Sequence, residues 1–222
     1  MSSLYPLVEA AVVAACLGVI LFAVANVATR RGTWPAMAWA AVGLGWFLIV
    51  WELARAGVFE GTRGSGRLGE MAVMLVPLAA GLRLPGLGQS ASPSPADLVT
   101  VQVIRVVAVV VLLAWASEAL PAWLALPIGG GDLVVGLAAP SVGRLLRAGQ
   151  SRVAVARLWN AIGAALALFT MAAPVPSAPS TGYFFSLYPL VLLPTFLAPV
   201  WLVLHLAIQR GLAVAAPEAP RG

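Results

Sequence analysis

Two ionisable residues stand inside otherwise apolar stretches of this chain. Arg105 lies within DLVTVQVIRVVAVVVLLAWASEAL (97–120) and Asp132 within PAWLALPIGGGDLVVGLAAPSVG (121–143). A charge placed in hydrocarbon is costly unless it is paired or wetted, so each marks a site of binding, ion coupling or pairing. Along straight helices Arg105 would lie about 12 Å and Asp132 about 16 Å from the same membrane face. The two segments meet at Leu120–Pro121, and an ion pair is then the economical arrangement, because either charge alone would be stranded.

Other polar residues fall within reach. Gln102 is three positions before Arg105 and shares its helix face. The same reckoning puts Asn160 about 10 Å and His205 about 5 Å from that membrane face. Thr195 falls near the midplane beside Pro194, whose ring frees a backbone carbonyl. Gln102, Arg105, Asp132, Asn160, Thr195 and His205 therefore form the candidate ligand-binding or ion-coupling set. His205 is the member that titrates near neutral pH, so a proton-accepting gate is its functional reading. The plainer alternative is an Arg105–Asp132 strut between two helices, with Gln102 and Asn160 as interhelical hydrogen-bond glue.

Composition removes several chemistries. All 13 basic residues are arginine, so Schiff-base lysines and the P-loop lysine are excluded. One cysteine, Cys16, cannot form an internal disulfide, and one histidine cannot build a His-rich zinc site or bis-His haem ligation. No metal site is expected, and no cofactor. A haem or redox protein using His205 with Met171 or Met74 is the minor alternative. Enzyme activity is not favoured: Ser117 and Glu118 lie at the outer end, about 30 Å from His205, so no nucleophile–base pair can assemble.

The elements that must position these residues are apolar helices. Of 222 residues, 61% are hydrophobic and 9% charged, where a soluble domain is about one quarter charged. The expected architecture is an all-α polytopic membrane bundle, one domain over residues 1–210, with spans near 5–28, 34–56, 68–87, 97–120, 121–143, 153–173 and 183–208. Residues 211–222 read as a disordered cytoplasmic tail.

The first segment resembles a signal peptide at Ala23-Val24-Ala25, but its positive flank, Arg30 and Arg31, follows rather than precedes it; an uncleaved helix is expected. Segment 68–87 is the short one, with Glu70 and Arg83 only about 18 Å apart along a helix. Seven spans are expected, six if it does not cross.

With seven, nine arginines face the cytoplasm and three the outside; with six, ten and two. In the seven-span scheme the N-terminus is outside, and both schemes leave the C-terminus in the cytoplasm. Ser94, Pro95 and Asp97 form a helix start. Gly129-Gly130-Gly131 predicts a break before Asp132, leaving a half-helix with free N–H groups. Pro189, Pro194 and Pro199 predict a bent or unwound last span.

Gln102-x-x-Arg105, LPAWLALPIGGGD (120–132), Trp159-Asn160 and PLVLLPTFLAPVWLVLH (189–205) resemble the pattern of an uncharacterised family of small bacterial multi-pass membrane proteins, over roughly residues 102–210. That resemblance implies the bundle fold and the cytoplasmic (inner) membrane of a bacterium, and supplies no activity. The functional expectation is binding or transport of a small polar or anionic ligand, or proton coupling. The alternative is a non-catalytic scaffold or sensor subunit. The lipid bilayer is the expected surrounding partner, with a homo-oligomer as an open arrangement and nucleic acid excluded, since the arginines sit at span ends.

Overall fold

A computed structural model describes residues 5–60, 72–76, 93–149, 152–172 and 183–214. Among them every regular element is helical. Six helices are long and apolar enough to cross a membrane. They are α1 (Tyr5–Arg31), α2 (Thr33–Arg55), α3 (Pro95–Ala116), α4 (Ala122–Arg147), α5 (Val153–Ala172) and α6 (Leu193–Ala213). Most of the expected span 68–87 lies outside the described residues. Of that span, residues 72–76 are helical, with Val73 and Met74 buried.

Large apolar side chains point outward as well as inward, which identifies the solvent these helices suit. Trp34 (79% exposed), Val134 (67%), Leu21 (67%) and Leu158 (65%) would be costly in water and are at home against lipid tails.

The helix starts and stops follow local chemistry. α3 begins with Ser94 as N-cap: its Oγ accepts from the Asp97 N–H (3.2 Å) and donates to the Asp97 carboxylate (2.7 Å), with Pro95 in the first turn. Asp97 also receives Arg147 of α4 (2.9 Å) and Arg30 of α1 (3.7 Å). This cluster ties together the end of α1, the start of α3 and the end of α4.

Three of the six helices depart from α geometry where they meet in the core. α3 tightens into a 3-10 segment over Gln102–Ala108, long for a form that rarely persists beyond three or four residues. α4 widens into a π segment at Leu126–Gly131 and α6 at Leu193–Leu197. Each π segment carries proline at its second residue, Pro127 and Pro194, whose missing N–H interrupts the regular ladder.

The expected break at the glycine triplet is not present. The Asp132 N–H bonds to Gly129 and Ile128 carbonyls, so α4 passes through a wide turn and offers no half-helix of free N–H groups. The expected irregularity before α6 does occur: a short helical stretch, Tyr183–Ser186, and a turn precede it.

Glycines set the distance between α3 and α4. Gly129, Gly136 and Gly143 recur every seven residues, a spacing that keeps them on one face of α4. A Cβ on Gly136 would lie 3.0 Å from the Val106 backbone nitrogen and 3.2 Å from the Arg105 carbonyl carbon. One on Gly129 would lie 2.8 Å from Leu112, and one on Gly143 would meet Thr100. The absence of side chains here lets the two backbones approach, as small residues do in membrane helix pairs.

Candidate functional site

Arg105 is wholly buried in the middle of α3. The 3-10 segment stacks Gln102 directly in line with it, because residues three apart eclipse in that helix. The close approach at Gly136 brings α4 alongside, and Asp132, one turn earlier on α4, meets the guanidinium: Nη2 donates to Asp132 Oδ1. The sequence-predicted pair is thus a direct contact.

The same guanidinium reaches two further helices. Nη1 and Nη2 both donate to the Gly163 carbonyl of α5 at 3.1 Å. Nη1 also donates to His205 Nε2 of α6 at 2.6 Å. The Trp201 ring, one turn before His205, lies beneath the guanidinium, 4.8 Å from Cζ to its centroid, a cation–π contact. Four helices therefore converge on one fork-shaped cation, whose donors are set in a plane and suit several acceptors at once.

His205 continues the network. Its Nε2 accepts from arginine, so the ring is neutral with its proton on Nδ1, and Nδ1 donates to Asn160 Oδ1 (2.8 Å). This tautomer and the Asn160 orientation are assigned from the hydrogen bonds. Asn160 Nδ2 donates back to the His205 carbonyl (3.1 Å) and to Gln209 Oε1 (3.5 Å). Trp159 borders the imidazole at 5.6 Å between rings, and its own N–H donates to the Val135 carbonyl (3.2 Å). Gly163 makes room for this packing: a Cβ there would run into the His205 ring and lie 3.2 Å from Arg105 Nη1.

His205 sits deeper than the sequence estimate, level with Arg105. The cause is the helix end. The helix runs past residue 208, one residue beyond the α6 span to Val214, which puts His205 about 13 Å inside rather than about 5 Å. Thr195 is fully buried, but its hydroxyl donates to the Val191 carbonyl in the turn just before α6 and joins no hydrogen bond of the arginine centre.

Gln102 is brought beside Arg105 by the helix geometry, yet among the described residues neither its Oε1 nor its Nε2 has a partner. Arg105 Nε, Asp132 Oδ2 and Trp201 Nε1 are likewise buried and unpartnered. Sequence reading missed Gly163 and Trp201. Their signals were modest: Gly163 is three residues after Asn160, and Trp201 four before His205, so each shares a helix face with a residue already singled out.

Both ring nitrogens of His205 are engaged, one by Arg105 and one by Asn160, leaving no lone pair for an iron ligand. Among the described residues no three His, Cys, Asp or Glu side chains gather as a metal site.

Six long apolar helices, four of which meet at a buried Arg–Asp–His cluster, define a multi-pass membrane helix bundle. Within that class the chain belongs to the family described as Domain of unknown function (DUF8737), which matches residues 71–213, more than half of the chain and every residue of the arginine centre. No curated protein and no solved structure matches it.

Proposed function

We propose that this protein binds a small polar ligand at the Arg105 centre within the membrane. The observation that carries the reading is the set of buried polar atoms without partners among the described residues: both amide atoms of Gln102, Arg105 Nε and Asp132 Oδ2. Each unsatisfied group costs on the order of 1–3 kcal/mol. A ligand supplying an acceptor to Arg105 Nε–H and a donor to Asp132 Oδ2 relieves that cost. Because Arg105 and Asp132 neutralise one another, a hydroxyl- or amide-bearing molecule suits the centre better than a free anion. The irregular backbone of α3, α4 and α6 supports the same reading, since non-helical backbone at membrane depth is tolerated where it is buried in protein or lines a cavity. Proton coupling through His205 requires Arg105 to leave Nε2 first, so a proton and the arginine contact exclude one another there.

The arginine distribution supports an orientation. Arg30, Arg31, Arg144, Arg147, Arg152, Arg157 and Arg210 fall at the bundle end that carries Asp97, whereas Arg55 falls at the other. By the positive-inside rule the first end is cytoplasmic and the N-terminus of α1 is outside. The resemblance over 102–210 supports a bacterial cytoplasmic membrane.

A structural reading has its own observation, the direct Arg105–Asp132 contact reinforced by Gly163 and His205. Gln102→Leu separates the two, because the Gln102 side chain makes no hydrogen bond among the described residues. Under the binding reading, native mass spectrometry of the purified wild type finds a retained small molecule that Gln102→Leu loses. If the centre is only a strut, nothing is retained and Gln102→Leu raises stability by about 1–3 kcal/mol.

A further inference from the structure

A second polar site lies at the opposite end of the bundle from Asp97. A cleft of about 410 Å³ opens there, lined by Tyr5, Glu9, Arg55, Glu60, Leu187 and Tyr188. That volume falls within the roughly 300–1,000 Å³ of small-molecule sites. Its walls are built by local structure. α2 ends in a Schellman turn: Gly57 takes φ 71°, the Val58 N–H reaches the Leu53 carbonyl (3.1 Å) and the Gly57 N–H that of Ala54 (3.2 Å). The Glu60 N–H then closes onto the Gly57 carbonyl (3.0 Å), and the Glu60 carboxyl folds back so that a Cβ on Gly57 would lie 3.2 to 3.4 Å from it.

The opposite wall is a relay. Trp51 Nε1 donates to the Tyr188 hydroxyl oxygen (2.8 Å), and that hydroxyl donates to Glu9 Oε1 (2.7 Å). Indole can only donate, so the direction is fixed and Glu9 is held with its other oxygen free of this relay. Arg55 lies over the Trp51 ring, 4.9 Å from Cζ to its centroid. Among the described residues Glu9, Glu60 and Arg55 form no ion pair with one another. The cleft therefore presents two carboxylates, one guanidinium and two phenol rings to an incoming molecule.

Neither a simple anion nor a simple cation matches that lining. Two carboxylates repel an anion, and a lone cation leaves Arg55 unanswered. We propose that the cleft binds a phosphoethanolamine-type zwitterion, its ammonium group taken by Glu9 and Glu60 and its phosphate by Arg55. Aromatic rings add attraction for the ammonium, and the planar guanidinium suits phosphate oxygens. The depth agrees with a membrane headgroup: Tyr5 is the first residue of α1 and Arg55 the last of α2. The same chemistry could come from a phosphatidylethanolamine headgroup or from free phosphoethanolamine.

The test uses the full-length protein in detergent. Native mass spectrometry reads retained phosphatidylethanolamine, and thermal shift reads added phosphoethanolamine, ethanolamine and inorganic phosphate. The expected result is binding of the zwitterion, weakened about tenfold by Arg55→Gln and about tenfold by Glu60→Gln, the worth of one charge-assisted hydrogen bond. Both side chains are exposed, so the melting temperature without probe should not move; were one variant to misfold, the other decides. Retained lipid without a response to free phosphoethanolamine identifies the headgroup as the source, and the converse identifies the free solute. Ethanolamine or phosphate alone acting as well as the zwitterion overturns the proposal, as does binding unchanged in both variants.

Discussion

Arg105 carries its charge in a place where the cost of burial is shared among four residues of three other helices rather than met by one partner. Asp132 supplies the countercharge, Gly163 a carbonyl, His205 a ring nitrogen and Trp201 an aromatic face. Removing one member of such a pair leaves the other charge stranded, whereas replacing both with apolar groups of similar size is often tolerated. Asp132→Asn should therefore lower stability by about 3–5 kcal/mol. The double replacement Arg105→Met with Asp132→Leu should recover part of that loss. Chemical unfolding of the variants in one detergent checks both; a double variant less stable than Asp132→Asn would mean that the cluster holds the helices in register by more than charge compensation.

The α3–α4 pair depends on what its glycines lack. At Gly136 the atoms nearest an added Cβ are backbone, the Val106 nitrogen and the Arg105 carbonyl carbon, and backbone cannot rotate aside. Gly136→Ala should cost about 1–3 kcal/mol by prising α4 from α3. Gly130, one residue after Gly129, has nothing within 4 Å of the same position. There Gly130→Ala should be neutral or gain up to about 1 kcal/mol from helix propensity. Opposite signs for two glycines six residues apart, measured by thermal unfolding, would separate packing from propensity; equal signs would refute the close-approach account.

The two ends of the bundle differ in chemistry and constrain how the chain crosses it. Glu9, Trp51 and Tyr188 are hydrogen-bonded at one end, and Arg30, Asp97 and Arg147 meet at the other. Hence α2 finishes at the end opposite to that where α3 starts. In the orientation proposed above, which is that of the seven-span scheme, the end of α2 lies outside and the end of α4 inside. In intact cells a membrane-impermeant maleimide should label Val58→Cys directly and Ala148→Cys only after permeabilisation. Both positions are exposed, and native Cys16 is buried. Labelling of both from the same side would exclude the seven-span arrangement.

Much of this was legible in the residues alone. Long apolar runs can only be helices in lipid, because every backbone polar group must be satisfied within the segment. Two opposite charges on adjacent spans joined by a short turn have few ways to avoid each other, which is why Arg105 and Asp132 could be paired before any coordinates. The capping pattern at Ser94 and Asp97 was readable for the same reason: its partners are neighbours in sequence. What tertiary structure decided is the remainder of the centre. Gly163 and His205 lie 58 and 100 positions from Arg105, and which face of α5 and α6 turns inward depends on packing register that no local period encodes. The depth of His205 waited on where α6 ends. The outer cleft waited on the meeting of Glu9 and Tyr188, 179 positions apart. Local chemistry sets the elements and the nearest pair, and long-range packing selects the neighbours that make a buried charge into a site.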